Sequence, residues 1–343
     1  MRPKILIIYT GGTIGMIENP FTRALEPFDF SHLIENVPKI KMLDYEIHNY
    51  QFNKPIDSSD MNFDHWRTIA SIIEENYGYY DGFVVLHGTD TMAYTSSALS
   101  FMLQDLSKPV IITGSQLPIG EVRTDGEENL ITALQIAAAQ EPDGNPTVRE
   151  VAILFEDFLW RGCRASKRSA DNFNAFESSN YPPLARIGLG IDFDRKVLSR
   201  PTSAIQRPLK VLYGFDSNVS TVTLHPGLNE NSLRYAFSQP NLKGVVLRTY
   251  GAGNCPLAPW FIDTIEESVQ KGIIVFNVTQ CTSGPVRGRY ASGDKLAGLG
   301  VISGRDITYE AAITKMMHLF GQDYSPEEVK LLLGRPIVGE MTV

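Results

Sequence analysis

The 343-residue sequence predicts an α/β protein of two domains. Residues 1–190 read as a larger N-terminal domain with a mostly parallel sheet flanked by helices, and residues 213–343 as a smaller C-terminal α/β domain. Three observations predict this. Short apolar runs rich in β-branched residues alternate with amphipathic stretches, which is the pattern of βαβ units. The chain is longer than one ordinary domain of ~100–200 residues. Over residues 191–212 (IDFDRKVLSRPTSAIQRPLKVL) the periodicity lapses around Pro201 and Pro208, so this stretch reads as a linker.

The elements follow in order. KILIIY (4–9), DGFVVLH (81–87), PVIIT (109–113) and VAILF (151–155) are nearly continuous apolar runs, as expected of strands buried on both faces. Residues 62–77, 91–104 and 127–139 carry the spacing of the intervening helices. The second domain repeats the pattern on a smaller scale. Its strands are expected near 219–224, 244–248 and 273–278, and its helices near 229–238, 258–271 and 308–320. A last helix opens on Ser325-Pro326-Glu327-Glu328, a capping box with Pro at the first helical position.

Composition narrows the function. Thirty-one Lys and Arg stand against 39 Asp and Glu, a formal charge of −8, which argues against nucleic acid as the main partner. No apolar run approaches the ~18 residues of a membrane span. The run ILIIY (5–9) is too short for a secretory segment and no small-residue cleavage site follows, so a cytoplasmic protein is expected. Cys163, Cys255 and Cys281 are odd in number and lack a C-x-x-C pair, which points to reduced thiols. None of the six His falls at metal-ligand spacing, so no metal site is expected.

In parallel sheets ligands collect beyond the carboxyl ends of the strands. Five polar segments stand there: TGGTIG (10–15), IDSSDM (56–61), HGTDT (87–91), Gly114-Ser115-Gln116 and RGCRASK (161–167). Gly11 and Gly12 allow a sharp turn and close approach of a ligand to the main chain, while Thr13 offers a hydroxyl. A local capping role for Thr13 is the alternative. The G-G-x-x-G spacing does not fit a dinucleotide fingerprint, which wants G-x-G-x-x-G. Thr89 and Asp90 fall at a strand-to-helix transition, where either could be a plain N-cap. His87, at a strand end, reads as a satisfied structural residue. Lys167 is either a solvated surface Lys or a base beside Thr89 and Asp90, since a Thr hydroxyl needs such a base to attack.

Taken together, TGGTIG, IDSSDM, HGTDTMAYT, TGSQLP and RGCRASK resemble the signature segments of the bacterial-type L-asparaginases, particularly the cytoplasmic type I enzymes. LRTYGAGN (247–254) and NVTQC (277–281) extend the resemblance over nearly the whole chain. It implies hydrolysis of L-asparagine to L-aspartate and ammonia through an aspartyl-enzyme ester, with no cofactor. Thr13 matches the nucleophile, and Thr89, Asp90 and Lys167 match the second Thr and its Asp–Lys partners. Asp57, Ser58 and Ser59 match the loop that holds the substrate's α-carboxylate and α-amino group, with Asp90 also receiving the ammonium. The backbone around Thr89 and Ser115 matches the region that handles the side-chain amide. Asn254 matches a residue contributed by a neighbouring subunit, which implies a homo-oligomer, a tetramer built as a dimer of dimers.

Arg248, Thr279 and Cys281 match segments where some family members bind a second asparagine as effector, and their strand-end positions suggest that they face one crevice. Two departures accompany the resemblance. Many members carry a Tyr on the segment after the nucleophile, but residues 17–27 (IENPFTRALEP) have none, with Ala24 near its expected place. Residues 282–292 (TSGPVRGRYAS) also lack the Glu that the periplasmic enzymes bring to the substrate's amino group. A glutaminase/asparaginase of broader specificity and a non-catalytic amino-acid-binding module remain the alternatives. The amidotransferase component that acts on misacylated tRNA shares the catalytic segments but carries an extra N-terminal module.

Overall fold

The computed structural model describes residues 2–18, 25–27, 35, 37–198, 207–287 and 291–343. They form two compact units, divided between Val211 and Leu212.

In the first unit, five parallel strands make the centre of an eight-stranded sheet: β1 (Lys4–Gly11), β2 (Glu46–Ile56), β3 (Gly82–Leu86), β4 (Val110–Thr113) and β5 (Val151–Phe155). Their spatial order is β2-β1-β3-β4-β5. Beyond β5 the sheet continues antiparallel through β6 (Phe158–Arg161), β7 (Ala185–Ile187) and β8 (Ile191–Phe193). The helices α1 (Phe63–Asn76), α2 (Met92–Met102) and α3 (Gly126–Ala138) are the crossovers. Ile5, Ile7, Val84, Leu86, Ile111 and Leu154 form one core with Leu130, Leu134 and Ile136 of α3. Alternate residues such as Leu6, Ile8, Phe83 and Val85 are equally buried, on the other face of the pleat. Burial on both faces accounts for the unbroken apolar runs.

The expected linker begins too early. Ile191 and Phe193 pair with Ile187 and Ala185 as an edge strand and pack against the main core, so the sheet continues to residue 193. Lys210 and Val211 pair with Gln104 and Leu103. At three residues each, Ala185–Ile187 and Ile191–Phe193 are too short for the period-2 alternation to stand out. Pro201 lies outside the described residues, as does Ala24.

The second unit is built on four parallel strands in sequential order: β9 (Val219–Thr223), β10 (Gly244–Thr249), β11 (Ile274–Thr279) and β12 (Ile302–Ser303). Its helices are α4 (Glu230–Phe237), α5 (Pro259–Gln270), α6 (Ala291–Gly298), α7 (Tyr309–Phe320) and α8 (Pro326–Leu333). Helix α8 starts on the capping box at Ser325. The short β12 and α6 have no counterpart among the sequence-derived elements. Past α8 the chain is held by buried charge. The Lys315 ammonium, with no exposed side-chain surface, meets the equally buried Glu340 carboxylate at 2.6 Å and donates to the carbonyls of Leu333 and Arg335. Glu340 also accepts the N–H groups of Ile337 and Val338.

Candidate active site

The site lies where the parallel strands of the first unit end. β1 closes on Gly11 (φ 129°) and Gly12 (φ 91°), left-handed backbone that favours glycine. A Cβ on Gly12 would lie 2.4 Å from the Gly88 nitrogen, so the turns after β1 and β3 meet backbone to backbone. This contact puts the Thr13 turn beside His87–Thr91. Thr13 opens a 3₁₀ turn to Gly15, and Gly15 N–H donates to the Gly12 carbonyl at 3.1 Å. From below, the buried Tyr9 hydroxyl donates to the Gly15 carbonyl at 2.9 Å, and burial pushes its pKa up to about 12. The Thr10 hydroxyl donates to the Leu86 carbonyl at 2.9 Å, tying β1 to β3.

The turn after β2 packs against the same place. A Cβ on Gly88 would lie 2.6 Å from Ser58 Oγ. Asp57 caps the 3₁₀ turn Ser58–Asp60, its carboxylate accepting from the N–H (2.8 Å) and hydroxyl (2.9 Å) of Ser59. The Thr91 hydroxyl donates to the Ser58 carbonyl at 2.6 Å.

Neither Thr89 nor Asp90 is the N-cap of α2. Thr91 holds that position, and it uses its hydroxyl on Ser58 rather than on the helix. Thr89 and Asp90 instead meet Lys167. The Lys167 ammonium donates to Thr89 Oγ1 at 2.8 Å and to Asp90 Oδ1 at 2.7 Å. The Lys167 side chain is 17% exposed and that of Asp90 65%, so a pair of this kind adds little to stability. Its consequence is orientation: two oxygens from one loop fix the Lys nitrogen. Lys167 stands on the two-residue strand Ser166–Lys167, paired antiparallel with Phe176–Glu177.

His87 is structural. Its ring is fully buried and burial lowers its pKa to about 4, so it is neutral. Nδ1 faces the Gly88 carbonyl at 2.6 Å and must carry the proton; Nε2 then accepts from the Thr95 hydroxyl at 2.8 Å, which in turn accepts from Trp66 Nε1 at 2.9 Å. Every proton in that chain has one position.

Ser115 lies buried after β4, its hydroxyl bonded to the Leu117 carbonyl. Two nearby residues carry no signal of their role in the sequence. Gln116 accepts from the Thr89 hydroxyl at 3.3 Å. Asp125, buried just before α3, accepts from the N–H groups of Gln116 (2.9 Å) and Leu117 (3.1 Å). Burial raises its carboxyl pKa, and those two N–H groups partly offset the rise. Gln116 stands inside the TGSQLP segment. Asp125 precedes Gly126 at a helix start and reads as a cap in sequence, yet its side chain turns away from the helix.

The remaining expected residues lie in the second unit. Asn254 closes a tight loop in which its N–H donates to the Tyr250 carbonyl at 2.8 Å and its carbonyl accepts from Tyr250 N–H at 3.0 Å. Arg248 and Thr279 do end neighbouring strands, but not on one face. Thr249 pairs with Thr279 and Arg248 with Val278, so the alternation of side chains sends Arg248 and Thr279 to opposite sides of the sheet. The Arg248 guanidinium stacks 4.7 Å from the Tyr309 ring of α7. The Thr279 hydroxyl bonds to the Gly251 carbonyl and accepts from Cys281 N–H at 3.0 Å, and the Cys281 thiol is exposed. The stretch expected to lack a Glu, 282–292, includes residues 288–290, which lie outside the described residues.

Residues 4–199 match the family model described as asparaginase, N-terminal, and residues 218–333 match the glutaminase/asparaginase C-terminal domain. The chain belongs to the asparaginase family. Among the relatives of this asparaginase-family chain is L-asparaginase 1 of Escherichia coli, 41% identical over 99% of this chain and 98% of the relative. The L-asparaginase of Thermococcus kodakarensis is 34% identical over 99% of each chain. The solved structure of L-asparaginase I from Vibrio cholerae superposes with a TM-score of 0.88 at 37% identity, covering both chains in full. The fold of the family is therefore the fold described above.

Proposed function

We propose that this protein hydrolyses L-asparagine to L-aspartate and ammonia, with Thr13 as nucleophile and Thr89, Lys167 and Asp90 as one proton-handling unit. The observation that carries the reading is Lys167 held between Thr89 and Asp90 at the strand ends, beside the Thr13 turn. In the first half-reaction the Thr13 oxygen bonds to the side-chain carbonyl carbon of asparagine. The C–N bond then breaks and the nitrogen leaves as ammonia with the proton Thr13 gives up. In the second half-reaction Lys167, acting as the free amine, takes the Thr89 hydroxyl proton while Thr89 takes one from water. The hydroxide bonds to the ester carbonyl carbon, the bond to the Thr13 oxygen breaks, and Thr13 recovers a proton as aspartate leaves. Asp57, Ser58 and Ser59 border the crevice where the α-carboxylate and α-amino group would sit, and Asp90 is exposed enough to receive the ammonium. Ser115 would border the side-chain amide.

Ammonia release from asparagine, with glutamine in parallel, tests the activity and its selectivity. Thr13→Ala should retain the fold and lose at least about 10³-fold in kcat, as expected when a nucleophile is removed. A variant keeping a tenth of the parental kcat would assign the nucleophile elsewhere.

A further inference from the structure

We infer that Gln116 is a positioning residue, a two-ended clip that holds the Thr89–Lys167 hydrogen bond by gripping the loop at each of its ends. The inference rests on the proposed relay and adds to it a residue outside the Thr, Asp and Lys set.

The Gln116 carboxamide spans two loops. Its Oε1 accepts from the Thr89 hydroxyl at 3.3 Å, and its Nε2 donates to the Asn172 carbonyl at 3.0 Å. Valence fixes this orientation. The Thr89 oxygen already accepts an N–H from Lys167, so its own hydrogen needs an acceptor; the Asn172 carbonyl needs a donor. The flipped amide would face a donor with a donor and an acceptor with an acceptor.

Asn172 belongs to the loop that joins Ser166–Lys167 to its partner strand Phe176–Glu177. That loop is internally braced. Arg168 N–H donates to the Ala175 carbonyl at 2.7 Å, and the N–H of Asn172 to Ser169 Oγ at 3.0 Å. The Asn172 carbonyl is thus a fixed point on the hairpin that carries Lys167. The clip itself is anchored behind. The buried Asp125 holds Gln116 N–H, and Asn129, also buried, donates to the Gly114 carbonyl at 3.0 Å and approaches Asp125 at 3.4 Å. A side chain that served only to tie two surface loops would not need its backbone fixed by a buried carboxylate.

The test is steady-state ammonia release by the full chain carrying Gln116→Leu, Gln116→Glu, Lys167→Met, and Gln116→Leu with Lys167→Met. Misplacement of reacting groups by about 1 Å costs on the order of 10²-fold. Gln116→Leu should therefore lower kcat by roughly tenfold to a hundredfold, with KM within about threefold of the parent. Gln116→Glu keeps the acceptor for Thr89 but loses the donor for Asn172, and its kcat should fall between the two. With Lys167→Met already present, Gln116→Leu should cost less than about twofold more, because the bond it positions is gone. A Gln116→Leu enzyme within twofold of parental kcat overturns the inference, as does a loss that adds in full to that of Lys167→Met. Should Gln116→Leu fail to fold, Gln116→Glu decides: parental kcat overturns the inference, and reduced kcat at constant KM upholds it. If Lys167→Met itself leaves kcat unchanged, the relay falls and the clip falls with it. If Lys167→Met is inactive while Gln116→Leu keeps kcat within twofold of the parent, only the clip falls.

Discussion

The Thr89 hydroxyl has one proton to give, and in this structure both its donor and acceptor sides are engaged at once. A group so placed works as part of a unit. Thr89→Val and Lys167→Met should each cost nearly as much kcat as the pair together, and independent, additive losses would count against the unit. His87 makes a different prediction. A His that is neutral when folded and free to protonate when unfolded destabilises the fold as pH drops. Its contribution is complete above the unfolded pKa near 6.5 and is lost toward about 4; His318, also buried, is shifted the same way. Unfolding free energy should fall between pH 6.5 and 4 by roughly 1.4 kcal/mol per pH unit for each group at most. A urea midpoint that is flat over this range would contradict the neutral assignment. Thr89, Asp90 and Lys167 were legible because each follows a strand run at the end where ligands collect. Asp125 was not, because it precedes a helix and reads as its cap, and Gln116 was not, because nothing local marks a side chain that reaches Thr89 and Asn172, 27 and 56 positions away.

At the scale of elements, the site depends on how closely three strand-end turns approach. The Gly12–Gly88 contact and the Gly88–Ser58 contact leave no room for a methyl group. Gly88→Ala should therefore shift the Ser58 turn or the Thr13 turn, with a cost of about 1–3 kcal/mol and a larger proportional loss of kcat. Thermal denaturation and ammonia release on the same preparation check both, and a variant matching the parent in each would show that the turns adapt freely. The buried strands were readable as apolar runs, and the crossover helices from their amphipathic spacing. The antiparallel annex was not. β6, β7 and β8 have three or four residues each, with polar residues among them, too short a window for a period of two to stand out. Ile191 and Phe193 show that signal only once their partners Ile187 and Ala185 are known.

At the scale of the whole molecule, the homo-oligomer that the family resemblance implies makes a prediction from symmetry. If Asn254 acts in the site of a neighbouring subunit, Thr13→Ala and Asn254→Ala chains refolded together should regain activity that neither has alone. In randomly mixed dimers half pair unlike chains, and one of their two sites is intact, giving about a quarter of parental activity. No recovery would place Asn254 in its own subunit's site or outside any. Lys315 and Glu340 both lie within the second unit and pair there, buried. Removing one member of a buried pair strands the other, so Lys315→Met should cost about 3–5 kcal/mol, and Lys315→Met with Glu340→Leu less than the two singles combined. Equal and additive losses would mean that the pair is not coupled. The same ion pair sets a clock during synthesis. Glu340 is added 25 positions after Lys315, and residues emerge at about 5–20 per second. For a second or more, every nascent chain carries an amine destined for the interior without the carboxylate that permits it to go there. In that interval α7 cannot dock with its charge paired. A ribosome stalled before codon 340 should leave this unit open to chaperones and proteases, however complete the first unit already is.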